Sequence, residues 1–539
     1  MTVTAIPLRH EAIQIGSVAE VSGYRVVCEM LAPPSSDSGS QYTSAQIGTV
    51  VKIVTPTTFA FGFVDSIAFE SPIPGETRRS ARTEIDLLGE VSRVGDSTGG
   101  VFARGISVYP VLGAAAFIAS DEDVAQIYGK PSVATLAVGT LHRFSEKIAY
   151  LKSEAFFTKH SVIVGTTGAG KSCALALILR ALLKAHPHGH ILLLDPHGEY
   201  APAFPDMAEC VSPETLQLPY WLFGFDEIVE VICSKEPIAR SRETLILKDA
   251  IIQAKREFLE TPSRSPEIVV DTPTPYLVSE LIRLLSDEMG RLLKPDTSQP
   301  YLRLISTIEG LVRDPRYQFM FDQKLVHTDM ADILGRILRI PVDGRPISVL
   351  DISAVPSEIS NIVVSLICRL VFDFAVNCNR EVAVPMLIAC DEAHRYIPRD
   401  DVAGFDPTRR AIGRIAKEGR KYGLSLCLVT QRPTELSETV LSQCSTVIAL
   451  RMPNKDDQDY VRSHLSDAYS GLLNMLPTLG EQEAVLVGEG AIHPMRIRFN
   501  DLAPAHQPRV TPTNFPAAWD KDVHGKEYLA RLIQRWRGW

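Results

Sequence analysis

No C-x-x-C pair occurs among the nine cysteines, at 28, 173, 210, 233, 368, 378, 390, 427 and 444, and most of them sit inside apolar runs such as VVSLICRL and LSLCLVT. That pattern predicts buried free thiols in a reducing compartment and excludes a disulfide scaffold or a zinc framework. The 13 histidines are equally dispersed. Their one dense group, HPHGH at 186 to 190, reads as a polar turn ahead of a strand, with a metal site as the lesser alternative. Long apolar runs are missing as well: no window approaches the roughly 20 uninterrupted apolar residues of a membrane-spanning helix. The start, MTVTAIPLRHEAIQIG, lacks the basic-then-apolar order of a secretory leader. The expectation is a cytoplasmic chain with no membrane segment. Positive charge is also short, with 55 Lys and Arg against 64 Asp and Glu and a net charge of -9. A surface coated for non-specific binding to DNA or anionic lipid is therefore excluded, and any nucleic-acid contact must be confined to a few basic loops or a channel. There is no internal repeat and no low-complexity block.

What is present is organised in blocks, and 539 residues exceed one ordinary core, so two or three domains are expected. Residues 1–115 carry short apolar or alternating runs, EVSGYRVVCEM, IGTVVKIV, FAFGFVDSIAF and IDLLGEVSRV, separated by PPSSDSGS, TPTT, SPIPGE and GDSTGG. Regularly spaced short strands between turn clusters predict a small closed or nearly closed β-barrel. Its basic group, Arg78, Arg79 and Arg82, reads as a solvated loop between two strands.

Residues 116–212 then begin an α/β region in which SVIVG, a helix from Lys171 to about Ala185, and ILLLD follow one another, the grammar of parallel strands with crossover helices. Strand signals nearly vanish over residues 213–345, where segments such as RETLILKDAIIQAKREFLE have helical spacing, so a helical insertion is expected. The α/β region resumes over 346–504 with ISVLDI, PMLIAC, LSLCLVT, TVIALR, AVLVG and MRIRF. The last stretch, 505–539, is Pro-rich and then amphipathic, ending LARLIQRWRGW; it suits contact with a neighbouring subunit or folding back on its own domain.

GTTGAGKS, Gly165 to Ser172, matches G-x-x-x-x-G-K-[ST] in full and lies between a strand and a helix, as a phosphate-binding loop requires. Gly165, Thr166, Thr167, Gly168, Ala169 and Gly170 would wrap the phosphates with their backbone, and the contact would extend through Cys173 in the first helical turn. Lys171 would neutralise β- and γ-phosphate charge, and the Ser172 hydroxyl would ligate Mg2+. ATP and Mg2+ are the implied cofactors. The second half of such a site needs acid at a strand end. Asp391 and Glu392, ending PMLIAC, divide the tasks of holding Mg2+ and polarising the attacking water. Asp195 and Glu199, in ILLLDPHGE, compete for the same role; Asp195 is followed by proline and a turn, which favours the first pair.

Taken together, GTTGAGKS, LLLDPHGEY, LIACDEAHRY, RIAKEGRKYGLSLCLVTQRP and TELSETVLSQC resemble the HerA branch of the HerA/FtsK group of RecA-like motor ATPases. The resemblance covers nearly the whole chain, with its most specific motifs at 161–172, 191–200 and 385–451. It implies an α/β RecA-like P-loop core with a mostly parallel sheet, an N-terminal barrel and a helical insertion. It further implies a homo-hexameric ring that hydrolyses ATP and passes double-stranded DNA through its channel. An effector nuclease or NAD-consuming enzyme would dock on the barrel face, in end processing or antiviral defence.

Gln431 corresponds to the family's γ-phosphate sensor. Arg420 corresponds to an arginine that assists hydrolysis within the subunit, with Arg414 second and Arg409 and Arg410 more distant. Where some members send an arginine to the neighbouring subunit's ATP, this chain has Lys159, which lacks the planar fork of arginine. The alternative to a DNA motor is an ATP-binding scaffold that assembles and regulates an effector. A motor for protein or single-stranded DNA is set aside because the N-terminus offers no membrane segment.

Overall fold

The computed structural model describes residues 13–30, 45–69, 81–94, 97–98, 100–259, 268–292, 295–378, 383–400, 405–466, 469–509, 519–520 and 525–537. Arg78 and Arg79 lie outside these residues. Arg82 is not in a loop: it sits in a strand, opposite Ala68 on one side and Glu29 on the other.

The first strands are β1 (Gln14–Val21), β2 (Arg25–Met30), β3 (Val50–Val54), β4 (Thr58–Phe69), β5 (Ala81–Val94), β6 (Ser97–Thr98), β7 (Ala103–Arg104) and β8 (Ala115–Ile118). Six of them pair antiparallel in the order β2-β1-β8-β3-β4-β5, and β5 returns to β2, so the barrel is closed. The β8 strand, inserted between β1 and β3, carries the barrel beyond residue 115. Successive side chains of β4 point to opposite sides. Ala60 and Val64 fill the barrel with Val51, Ile53 and Ile85, whereas Phe59, Phe61 and Phe63 enter the large core shared with the next domain. Each buried phenylalanine contributes about 1.5–3 kcal/mol to that union.

A polar latch reinforces the junction. The Arg25 guanidinium holds Asp86 at 2.8 Å, Asp65 at 2.7 Å and Glu84 at 2.5 Å. The free oxygens of two of these acids reach across to the short helix Ser470–Leu473 and beyond: Gly471 N donates to Asp86 Oδ2 (3.1 Å) and Asn474 Nδ2 to Asp65 Oδ1 (3.1 Å).

The second sheet has eleven strands. Its members are β9 (Thr135–Leu141), β10 (Phe144–Lys152), β11 (His160–Val164), β12 (His190–Asp195), β13 (Ala208–Val211), β14 (Ile347–Asp351), β15 (Met386–Cys390), β16 (Leu424–Thr430), β17 (Cys444–Leu450), β18 (Glu483–Gly488) and β19 (Met495–Phe499). The run β17-β11-β16-β15-β12-β14-β13 is parallel, and β18, β19, β9 and β10 extend it antiparallel beyond β17. The mostly parallel α/β core expected from the sequence is thus the structure. Its central strands HSVIV, MLIAC and LSLCLVT are buried at every residue, which is why they read as largely apolar runs without charge.

Between β13 and β14 the described residues form no strand; helices Pro237–Phe258, Val278–Gly290 and Pro295–Arg313 pack on one another there. Their one fully buried cation, Lys255, donates to the carbonyls of Val270 (2.6 Å) and Thr272 (2.7 Å), and burial lowers its pKa to about 8. One helix, Ser357–Asn377, contains a stretch with the length and apolarity of a membrane span, Ile359–Asn377; 72% of it is buried within the fold. The helix Lys526–Trp536 buries none of its residues. The thiols divide less simply than their apolar flanks suggest: five are buried, but Cys173 and Cys210 are exposed.

Candidate nucleotide site

The carboxyl ends of the parallel strands converge on the loop after β11. Gly168 and Gly170 take φ values of 76° and 96°, a left-handed backbone that glycine adopts without a Cβ clash. The chain can therefore fold back at once into the helix Lys171–Ala185. In its first turn the amides have no intrahelical acceptor and face outward with the positive end of the dipole. The loop's entry is fixed from β17, where the carbonyl of Arg451 accepts Thr166 N at 3.0 Å. Cys173 stands in this first turn with its side chain exposed, so any contact with phosphate would run through its backbone.

Lys171 is buried, and its ammonium donates to the Thr166 carbonyl at 3.1 Å. Burial lowers its pKa, opposed by the charges of Glu392, Asp391 and Glu199. Asp391, at the end of β15, is 3% exposed; burial, and then repulsion from Glu392, raise its pKa to about 7. Glu392 has φ 48° and ψ 45°, a conformation that costs a residue with a Cβ about 1–2 kcal/mol. That strain turns its carboxylate into the site, where Oε2 is buried without a hydrogen-bond partner. Two histidines flank it: His394 Nδ1 lies 3.3 Å from Oε2, and His197 Nε2 lies 4.0 Å from Oε1. His394 also bonds Thr430 Oγ1 at 3.0 Å, tying this acid turn to the end of β16. One residue on, the side-chain oxygen of Gln431 accepts a hydrogen bond from the Thr167 hydroxyl.

The competing acids have separate tasks. Asp195 is fully buried, and its carboxylate accepts the backbone N–H groups of His197 (3.2 Å), Glu199 (3.2 Å) and Tyr200 (2.9 Å). It builds the turn that brings Glu199 to Ser172, whose hydroxyl donates to Glu199 Oε2 at 3.3 Å. A glycine-rich loop at a helix N-terminus, one lysine, and three carboxylates, one of them an orphaned acceptor, fit a triphosphate with a divalent cation. Ser172 and Asp391 would hold Mg2+, which would also relieve the repulsion between the adjacent acids.

The cations proposed from sequence are not gathered here. Arg420 lies at the opposite, amino end of β16, beside His160; seven strand residues separate the two edges by about 20 Å. Lys159 is at that same edge, paired with Glu489. Arg414 lies over the Phe372 ring at 4.2 Å. Arg409 pairs with Asp406 at 2.8 Å, and Arg410 with Asp226 at 3.0 Å and Asp406 at 2.6 Å. Within one chain none of them serves the P-loop. His394 and His197 were missed in the sequence, although both stand in quoted motifs, DEAH and DPHGE; the signal was their placement two residues from an acid.

Residues 136–371 match the family model for the central domain of helicase HerA. The chain is 26% identical over 419 residues to the DNA double-strand break repair helicase HerA of Pyrococcus furiosus, covering 71% of this chain and 72% of that protein. It is 24% identical over 387 residues to the protein of the same description from Saccharolobus solfataricus, covering 70% and 71%. The chain is thus similar to HerA-type ATPases through its central domain and over most of its length. Among solved structures, VirB4 of Thermoanaerobacter pseudethanolicus overlays with a TM-score of 0.49 at 15% identity, over 70% of this chain and 98% of that one. The HerA match begins at β9, so it takes in the P-loop and the turn built by Asp195; Asp391, Glu392 and Gln431 lie beyond the matched residues.

Proposed function

We propose that this chain is a HerA-type ATPase, an ATP-driven motor acting on double-stranded DNA and working as a homo-hexameric ring. The observation that carries the reading is the convergence of Lys171, Glu392 and Gln431 on one P-loop from three neighbouring strand ends. Lys171 holds phosphate charge, and Glu392, kept poised as an unpartnered acceptor, takes the proton of the attacking water. Gln431 contributes an amide that donates to phosphate or accepts from water without adding charge. Mg2+, when bound through Ser172 and Asp391, neutralises charge developing on the phosphates.

The relatives named above are DNA repair helicases, which supports DNA as the track. Grip on a phosphate backbone needs only a few cations and reads no sequence, so a net charge of -9 is no obstacle. Arg420 and Lys159, remote from their own nucleotide, would serve the neighbouring subunit's. An effector, nuclease or NAD-consuming, would sit on the barrel in end processing or antiviral defence. Nine free cysteines support the cytoplasm as the compartment.

The test is ATP turnover of the purified full chain with and without duplex DNA. Stimulation by DNA in the wild type, and none in Glu392→Gln, is expected. Turnover that ignores DNA even with a co-purified partner present would remove the motor from this reading and leave the scaffold.

A further inference from the structure

A narrow crevice opens where the barrel meets the antiparallel strands of the second sheet. Val50 and Phe63 of the barrel, Leu141 and Met495 of the sheet, and Leu472 and Met475 of the latch segment form its walls, and all six are buried. The room inside admits the centres of water-sized atoms over about 40 Å³, which suits a slim unbranched chain rather than a ring system.

Two guanidinium groups line this apolar slot. Arg143 donates to Thr49 Oγ1 (2.6 Å) and Gln46 Oε1 (2.5 Å), both neutral oxygens, and no carboxylate pairs with it among the described residues. Arg496 bonds Glu483 Oε2 at 2.6 Å, yet its Nε–H is buried with no acceptor. The two cations are close enough for Arg496 to lower the pKa of Arg143, after the larger effect of burial. Glu483 cannot balance both, because it is already shared with His142 at 2.6 Å and with Gly480 N at 2.8 Å. His142 adds no third positive charge, being held toward neutrality by burial and by Arg496. Arg143 is an exposed cation at the mouth of the slot with no carboxylate beside it among the described residues, and the Arg496 Nε–H is a buried donor without an acceptor, which costs stability. An anionic group with free lone pairs answers both.

We propose that this crevice binds a small amphipathic carboxylate, its head between Arg143 and Arg496 and its unbranched apolar body among the buried side chains at the barrel junction. The site is distinct from the P-loop, and its occupant contacts both domains at once. Leu472 and Met475 flank Asn474, which bonds Asp65 of the barrel, so binding adds to the contact that holds the barrel in place.

The probe is hexanoate, titrated calorimetrically into the full chain. One site per chain is expected, with affinity falling at least tenfold in Arg143→Met, the loss of one charge-assisted contact. Hexanol binding as tightly as hexanoate, or hexanoate binding equally to Arg143→Met, would overturn the proposal, as would the absence of any hexanoate binding. Should Arg143→Met fold poorly, Met475→Trp fills the slot without touching either arginine's charge. It is expected to abolish hexanoate binding while ATP binding is retained, and undiminished hexanoate binding in that variant sinks the idea.

Discussion

The side-chain oxygen of Gln431, one residue past β16, accepts the hydroxyl proton of Thr167 in the P-loop. The amide is thereby anchored to the P-loop, with its NH2 group turned away from that bond. Gln431→Leu is expected to lower kcat by about 10²-fold while nucleotide affinity holds, and Thr167→Val to act in the same direction more weakly. Steady-state turnover set beside nucleotide titration separates the two effects. A full rate in Gln431→Leu would remove the residue from the reaction.

Glu392 is held in a left-handed conformation with its Oε2 buried and without a hydrogen-bond partner, which suits the general base proposed above. Glu392→Gln should lose about 10²–10⁴-fold in turnover and still bind ATP. Glu392→Gly would relax the backbone strain and should raise thermal stability relative to Glu392→Gln, which scanning calorimetry can read.

Asp195 supports the site from beneath. Asp195→Ala strips acceptors from three N–H groups, that of Tyr200 buried, and is expected to cost about 1–3 kcal/mol. It should also weaken nucleotide binding, because the turn carrying Glu199 loosens. Asp195→Asn keeps one acceptor oxygen and should fall between wild type and Ala in denaturant midpoint. Equal midpoints for Ala and wild type would refute this role.

His160 clamps the amino edge: its Nε2 bonds the Ala416 carbonyl at 2.9 Å, and its Nδ1 accepts Leu426 N–H at 3.0 Å. That pairing requires the neutral ring with its proton on Nε2. Burial lowers its pKa, the Ala416 bond opposes, and Arg420 adds to the lowering. The folded protein therefore binds this proton less readily than the unfolded chain. Its contribution is present above the unfolded value near 6.5 and is lost as pH falls below it. His160→Phe should be less stable at pH 7.5 and should lose less on going to pH 5.5 than wild type does; identical slopes would contradict the clamp.

Arg420 and Lys159 stand at the amino edge, away from their own P-loop. Arg420→Ala and Lys159→Ala should leave ATP affinity of a dilute single chain unchanged. If they serve a neighbour, doping inactive Arg420→Ala chains into wild-type assemblies should depress turnover more than in proportion to the fraction added. Strict proportionality argues for action within one chain.

The central strands could be read from sequence because burial on both faces leaves few polar residues and no charged one to blur them; LSLCLVT coincides with β16 at both ends. The edge strands could not. FSEKIAYLK mixes charge and apolar residues because β10 is half solvated, and AECV is too short to carry a period. The P-loop was legible since its glycines and Lys171 act through local backbone. The division of labour between Asp195 and Asp391 was not, since ILLLD and LIACD are alike as strings, and only the three amides that close on Asp195 separate them. The resemblance alone assigns Arg420 a part in hydrolysis; its place ahead of a parallel strand already implies the opposite edge, where the structure has it.

The barrel's closure has a consequence for whatever meets it. Once β5 pairs back to β2, no row of free N–H and C=O groups remains around the six-stranded ring. An incoming peptide cannot extend it as an extra strand. A partner must instead recognise side chains on its outer wall or rim, so substitutions that alter only surface shape and charge there should change partner choice while the ring of strands beneath stays intact.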